Sequence, residues 1–211
     1  MPSRIQELLR EIDPDIALPT VMDPLREEDH AGAVCYRASP ELYLGHARGR
    51  IGNDGGFRED QIADYQFTGP LEETFFYAQG RWASTAEYFE AAESGPHTLR
   101  LKYEAAAVNL VMASPRANAA EVVILQDGKP LTREQASTDT RFRPRADGRA
   151  GEEGYLLVDS ARMYFLVNNH EFSEHELELQ CSPGVATFAF TFTSCLDPAG
   201  TAVRAATEVP R

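Results

Sequence analysis

His175-Glu-Leu-Glu-Leu-Gln-Cys-Ser-Pro-Gly-Val-Ala-Thr-Phe-Ala-Phe-Thr-Phe-Thr193, with Arg162-Met-Tyr-Phe-Leu-Val167 ahead of it, is the stretch that decides the fold. Leu177, Leu179 and Cys181 alternate with Glu176, Glu178 and Gln180. Phe188, Phe190 and Phe192 alternate with Thr187, Ala189, Thr191 and Thr193. A period of two, apolar on one side and polar on the other, is the pattern of an antiparallel sheet covered on one face. Ser182-Pro183-Gly184 supplies a tight turn, so the run predicts three closing strands, at 163–167, 175–181 and 187–194.

Outward from this run, similar stretches predict strands at 74–78, 82–90, 97–104, 108–113, 121–126 and 154–158. Gln79-Gly80, Ser94-Gly95-Pro96, Ser114-Pro115, Asp127-Gly128 and Asp147-Gly148 mark the turns. The polar stretch 131–151 reads as an exposed loop. Many short, evenly spaced strands with little helical periodicity predict a mainly β protein, an antiparallel β-sandwich of jelly-roll type. Ser3 reads as the N-cap of one short helix with Ile5, Leu8, Leu9 and Ile12 on a stripe, ended by Pro14. From there to Gly69, frequent Pro and Gly predict an irregular arm with one short strand or turn at Leu42-Tyr43-Leu44. The expected organisation is therefore helix and arm or linker over 1–69, sandwich over 70–197, and a tail over 198–211.

The chain has 211 residues and is 43% hydrophobic, enough for a buried core. Its net charge of −13 argues against nucleic acid, whose phosphates call for clustered Lys and Arg. No apolar run is long enough to span a bilayer and no secretory signal pattern opens the sequence, so as written the chain reads as cytoplasmic and soluble. Cys35, Cys181 and Cys195 form no Cys-x-x-Cys and no zinc spacing. In a regular hairpin around Pro183-Gly184, Cys181 and Cys195 lie too far apart to bridge. Cys35 could reach either one only through tertiary folding, and the favoured reading makes all three buried small hydrophobes.

No cofactor or metal is expected. His170 and His175, with Glu171 or Glu174 nearby, match no strong metal motif and read better as a polar connection between strands. Gly52-Asn-Asp-Gly-Gly56 lacks the ligand pattern of a calcium or phosphate loop and reads as a turn. There is no Gly-x-Ser-x-Gly elbow, and the five histidines are scattered along the chain. Trp82 is the only tryptophan. An exposed ring there would stack on a sugar, the alternative being a core position. Arg162 and Tyr164 read either as a polar recognition pair or as a cation over an aromatic ring at a strand edge.

Ser39-Pro-Glu-Leu-Tyr-Leu-Gly-His-Ala-Arg48, Gly80-Arg-Trp82 with Glu87, Val108-Asn-Leu-Val-Met112, Asp127-Gly-Lys-Pro130, Arg162-Met-Tyr-Phe-Leu-Val167 and Ala189-Phe-Thr-Phe192 follow one another in a characteristic order. As a set they resemble the C-terminal region of DipZ-type proteins. In that family a thioredoxin-like domain is followed by a jelly-roll domain similar to carbohydrate-binding modules. The helix at 5–12 looks like the last helix of the thioredoxin-like domain. The redox Cys-x-x-Cys is absent, so thiol–disulfide exchange does not carry over. The resemblance implies an accessory domain without its enzyme. It also implies a periplasmic or extracytoplasmic location, should an upstream part belong to the protein.

These readings converge on a non-catalytic binding module for a glycan or small polar ligand, with Trp82, Glu87, Arg162 and Tyr164 as candidate contacts. A second class is an interaction domain that docks on a separate thioredoxin-like partner, or self-associates, through the helix stripe. An unrecognised hydrolase on the sandwich is the third.

Overall fold

The computed structural model describes residues 2–23, 34–114 and 120–196. The chain divides into two compact units, Met1–Val34 with Asp197–Arg211, and Cys35–Leu196. The tail expected over 198–211 and Pro115 of the expected Ser114-Pro115 turn lie outside the described residues.

In the first unit, α1 spans Pro2–Ile12. Ser3 lies inside the helix and not at its cap, because Pro2 with its fixed φ opens the first turn. The expected stop holds: Asp13 N–H still donates to Leu9 O at 3.0 Å, and Pro14 follows. Gln6 Nε2 donates to Pro19 O at 2.6 Å, folding the following segment back along the helix. Ile5 and Ile12 are exposed, the latter at 84%.

The strands are β1 (Val34–Cys35), β2 (Leu42–Tyr43), β3 (Ile62–Tyr65), β4 (Phe76–Ser84), β5 (Phe89–Ala91), β6 (His97–Ala113), β7 (Ala120–Gln126), β8 (Lys129–Pro130), β9 (Arg141–Pro144), β10 (Glu152–Val158), β11 (Arg162–Cys181), β12 (Ala186–Thr193) and β13 (Cys195–Leu196). The first half of β6 pairs with β4 and with the second half of β11, and that layer continues through β7 to β10 and β9. The second half of β6 pairs with the first half of β11 and with β12, which carries β2 and β5. Two long antiparallel strands thus belong to both layers of a β-sandwich.

The sequence explains how a strand can serve two layers. In β6, Leu99, Leu101 and Tyr103 are buried at odd positions, and Val108, Leu110 and Met112 at even ones. The phase changes at Ala105 and Ala106, both buried and both small enough to share the inner face at an irregular step. In β11 the register slips twice, between Phe165 and Val167 and between Asn168 and Ser173. The strands expected at 97–104 and 108–113 are therefore one strand, as are those at 163–167 and 175–181. Two strands, not three, close the sandwich.

Gln79-Gly80 is likewise not a turn. Gly80 sits inside β4 at φ 94°, where an added Cβ would lie 2.0 Å from Pro96 O. The reversal comes later, at Thr85–Tyr88, and separates Trp82 from Phe89 onto different strands. The expected short strand near Leu42 is β2, and β3 is a further strand within the arm. Leu42, Leu44, Ile51 and Tyr65, in the segment expected to be an arm, are buried in the common core of the unit Cys35–Leu196. Phe89 anchors that core, with Trp82, Tyr65 and Phe76 at 5.0, 5.1 and 5.5 Å between ring centroids.

Cys35 and Cys195 form a disulfide across 160 positions of sequence. This corrects the reading of these two as packing residues. The chain returns Ser194 beside Tyr36, whose N–H donates to Ser194 O at 2.9 Å, and so brings the two thiols together. Cys181 is free and buried, with its thiol pushed up to about 12 by burial alone.

Candidate ligand-binding site

Two of the four residues expected at the site are in the core. Trp82 is wholly buried, lies nearly parallel to Phe89, and donates its indole N–H to Gln79 O at 3.0 Å. A ring with both faces covered has none left for a sugar, so the stacking role is withdrawn. Tyr164 is also buried. Its hydroxyl accepts from the Asp159 and Ser160 N–H groups at 3.0 and 3.1 Å and pins the turn before β11.

Arg162 is exposed but engaged: it lies 3.7 Å over the Tyr164 ring and forks onto Asp139 at 3.0 and 2.9 Å. Burial alone would push the Asp139 carboxyl up. The Arg162 fork and the Phe165 N–H outweigh burial and hold it below its ordinary value. Arg162 and Tyr164 are thus the cation-over-ring pair, with a structural task. Glu87 differs from the other three. It is exposed, and among the described residues its carboxylate has no hydrogen-bond or ion-pair partner.

Glu87 lines a groove of about 470 Å³ with Tyr43, Arg48, Val111, Phe188 and Ala189. Register builds its floor. Ala189 pairs with Tyr43 on one side and with Val111 on the other, so the three share the outer face. Their neighbours Leu42, Phe190 and Leu110 point inward and are buried. A β-bulge between Thr187 and Ala189 makes Phe188 an extra residue, with its ring 5.3 Å from that of Tyr88. Ala189 is small and leaves the floor low between the rings.

Two loops make the rim and are joined backbone to backbone. His46 N–H donates to Thr85 O at 2.9 Å, and Ala47 N–H to Ala86 O at 3.1 Å. Gly45 permits this approach: a Cβ there would stand 2.3 Å from the Glu87 carbonyl carbon. The Thr85 hydroxyl accepts from the Tyr88 N–H at 3.0 Å and holds the opposing turn. Arg48 lies 3.7 Å above the Tyr43 ring, and the Tyr43 hydroxyl donates to Glu41 at 2.5 Å. That bond to Glu41, first among the causes, raises the Tyr43 pKa.

The groove therefore offers aromatic surface, a guanidinium with free donors and a carboxylate with free acceptors. A second cleft of about 400 Å³, near Asp64, Phe67, Gln79 and Thr98, has no cation in its lining. No group of three or more His, Cys, Asp or Glu suited to a metal occurs among the described residues. No helix among them is long and apolar enough to cross a membrane. Tyr43 and Arg48 lie within the Ser39–Arg48 motif but were not singled out from sequence. The bulge that places Phe188 beside them leaves no local mark in the sequence.

The fold and its surface groove define a mainly β protein of the antiparallel sandwich class. The model of the family described as thioredoxin like C-terminal domain matches residues 39–193, and the chain belongs to that family. Among solved structures, a family two carbohydrate esterase from Cellvibrio japonicus is similar, with a TM-score of 0.38 and 11% identity. The likeness covers 76% of this chain and 36% of that one, so the chain spans about a third of that structure's length. No curated protein sequence matches.

Proposed function

We propose that the sandwich is a binding module whose groove at Tyr43, Arg48, Glu87 and Phe188 takes a glycan or a similar polyhydroxylated ligand. The observation that supports this most is a juxtaposition. An unpaired carboxylate and a guanidinium resting on the Tyr43 ring line the same groove, beside two partly exposed aromatic rings. Pyranose C–H faces match flat rings, and fanned hydroxyls match the acceptors of Glu87 and the donors of Arg48. A glycan array probed with the wild type and with Tyr43→Ala tests the reading. Signal lost in the variant, with its fold intact, supports it. Undiminished signal sends the ligand elsewhere.

A second reading rests on α1. Ile5, Leu8 and Ile12 leave an exposed apolar stripe suited to docking on a separate thioredoxin-like partner, or on a second copy. Light scattering of the wild type against Ile5→Asp/Ile12→Asp tests it. Association weakened by the substitutions supports it, and a strict monomer that captures no thioredoxin-like partner removes it.

A further inference from the structure

At one end of the sandwich the fold assembles three residues that the sequence keeps apart. Ser173 Oγ lies 2.8 Å from His175 Nε2, and His175 Nδ1 lies 2.8 Å from Asp127 Oδ2. Asp127 is 48 positions from His175 along the chain. We propose that Ser173 is an activated nucleophile, with His175 as its base and Asp127 as the group that positions the base, and that it accepts acyl groups from small esters.

The tautomer follows from the partners. An ionised carboxylate only accepts, so Nδ1 carries the proton toward Asp127 and Nε2 presents its lone pair to Ser173. The serine hydroxyl then donates to Nε2, which is the polarity needed to remove its proton.

Each residue is held by its element. β7 and β8 are joined by the two-residue turn Asp127-Gly128, with φ of 52° and 71° as a type I′ hairpin requires. That turn swings the Asp127 side chain toward β11, where Oδ1 also accepts the Glu176 N–H at 2.9 Å. The second register slip of β11 ends at Ser173, opposite Ala105, and His175 stands opposite Tyr103. Ser173 and His175 therefore face the same side, at the mouth of the sandwich. The Tyr103 ring packs 5.7 Å from the imidazole. Tyr103 is itself fixed by a closed ring of hydrogen bonds with Gln126 and Asn169, at 2.6, 2.9 and 3.0 Å. The site is open to solvent on one side, Asp127 being 49% and His175 18% exposed.

The step balances without a cofactor. Ser173 Oγ bonds to the ester carbonyl carbon while its proton passes to His175 Nε2. The carbon–oxygen bond to the leaving alcohol then breaks, and that alcohol takes the proton. Water enters by the reverse route and releases the acid, restoring the serine.

The test uses the full chain and an alkyl fluorophosphonate, which bonds covalently to activated serines with loss of fluoride. One adduct per chain, mapped by mass spectrometry to Ser173, is expected. Asp127→Asn keeps the turn, since Asn tolerates positive φ, but no longer fixes the tautomer. Labelling should slow by about 100-fold or more in Asp127→Asn and in His175→Gln. Thermal unfolding of Asp127→Asn should stay near that of the wild type, a readout that separates positioning from folding. Absence of an adduct at Ser173, or equal rates in wild type and Asp127→Asn, overturns the proposal. The adduct is read at Ser173 itself and owes nothing to the groove lined by Glu87, so the two sites stand or fall separately.

Discussion

Gly45 and His97 show how single residues set the behaviour of this protein. Gly45 lets two loops meet with no room for a methyl group. Gly45→Ala should destabilise the fold by about 1–3 kcal/mol, the usual range for overpacking, and should open the groove rim. Urea denaturation measures this, and an unshifted midpoint would mean that the loops yield freely. His97 is buried at the edge of the Trp82 ring, and neither ring nitrogen has a hydrogen-bond partner among the described residues. Burial lowers its pKa from the ordinary 6.5, against weaker polar contributions from the Cys181 and Arg81 backbone. The unfolded chain therefore binds a proton at higher pH than the folded one does. Stability should be level with respect to this group above its unfolded pKa of 6.5, and should fall as pH drops toward the lower folded value. Melting curves at about pH 7.5 and about pH 5 should converge more for His97→Leu than for the wild type. Equal losses in both proteins would assign the acid sensitivity to other groups.

Among the elements, the two shared strands and the disulfide matter most. The alternation of Leu177, Leu179 and Cys181 was legible because each side chain answers to one sheet face. The continuity of β6 and β11 was not, because a phase change at Ala105-Ala106 looks in sequence like a strand ending. The choice between stacking and core for Trp82 stayed open for a related reason. Reading 82–90 as one strand left open which face was covered, and the turn at Thr85–Tyr88 sends Trp82 and Phe89 onto adjacent strands that stack them together. The disulfide escaped because 160 positions separate its cysteines. Only the completed sandwich brings its two ends side by side. For a loop of that length, chain entropy gives about 5 kcal/mol, and measured bridges commonly give about 2–4 kcal/mol. Dithiothreitol, or Cys35→Ser/Cys195→Ser, should lower the unfolding free energy by about that much. An unchanged urea midpoint under reduction would show that the bridge ties together ends already held by the sheet. Cys181 should remain unreactive to alkylation until the protein unfolds, since its thiol is buried and pushed up to about 12.

Taken as a whole, the molecule carries an accessory β-sandwich of the thioredoxin like C-terminal family with two chemically distinct places on it. The sandwich class and the family were legible because alternation and the order of the short motifs run through most of the chain. The groove was legible only through Glu87, because Tyr43, Arg48 and Phe188 meet by register and a bulge. Whether the groove binds a glycan is decided by isothermal titration of the glycan that gives the strongest array signal into the full chain. Saturable binding by the wild type is expected, weakened at least about tenfold, or about 1.4 kcal/mol, in both Tyr43→Ala and Glu87→Gln with unfolding midpoints unchanged. Undiminished affinity in both variants, or no glycan binding by the wild type, would contradict it.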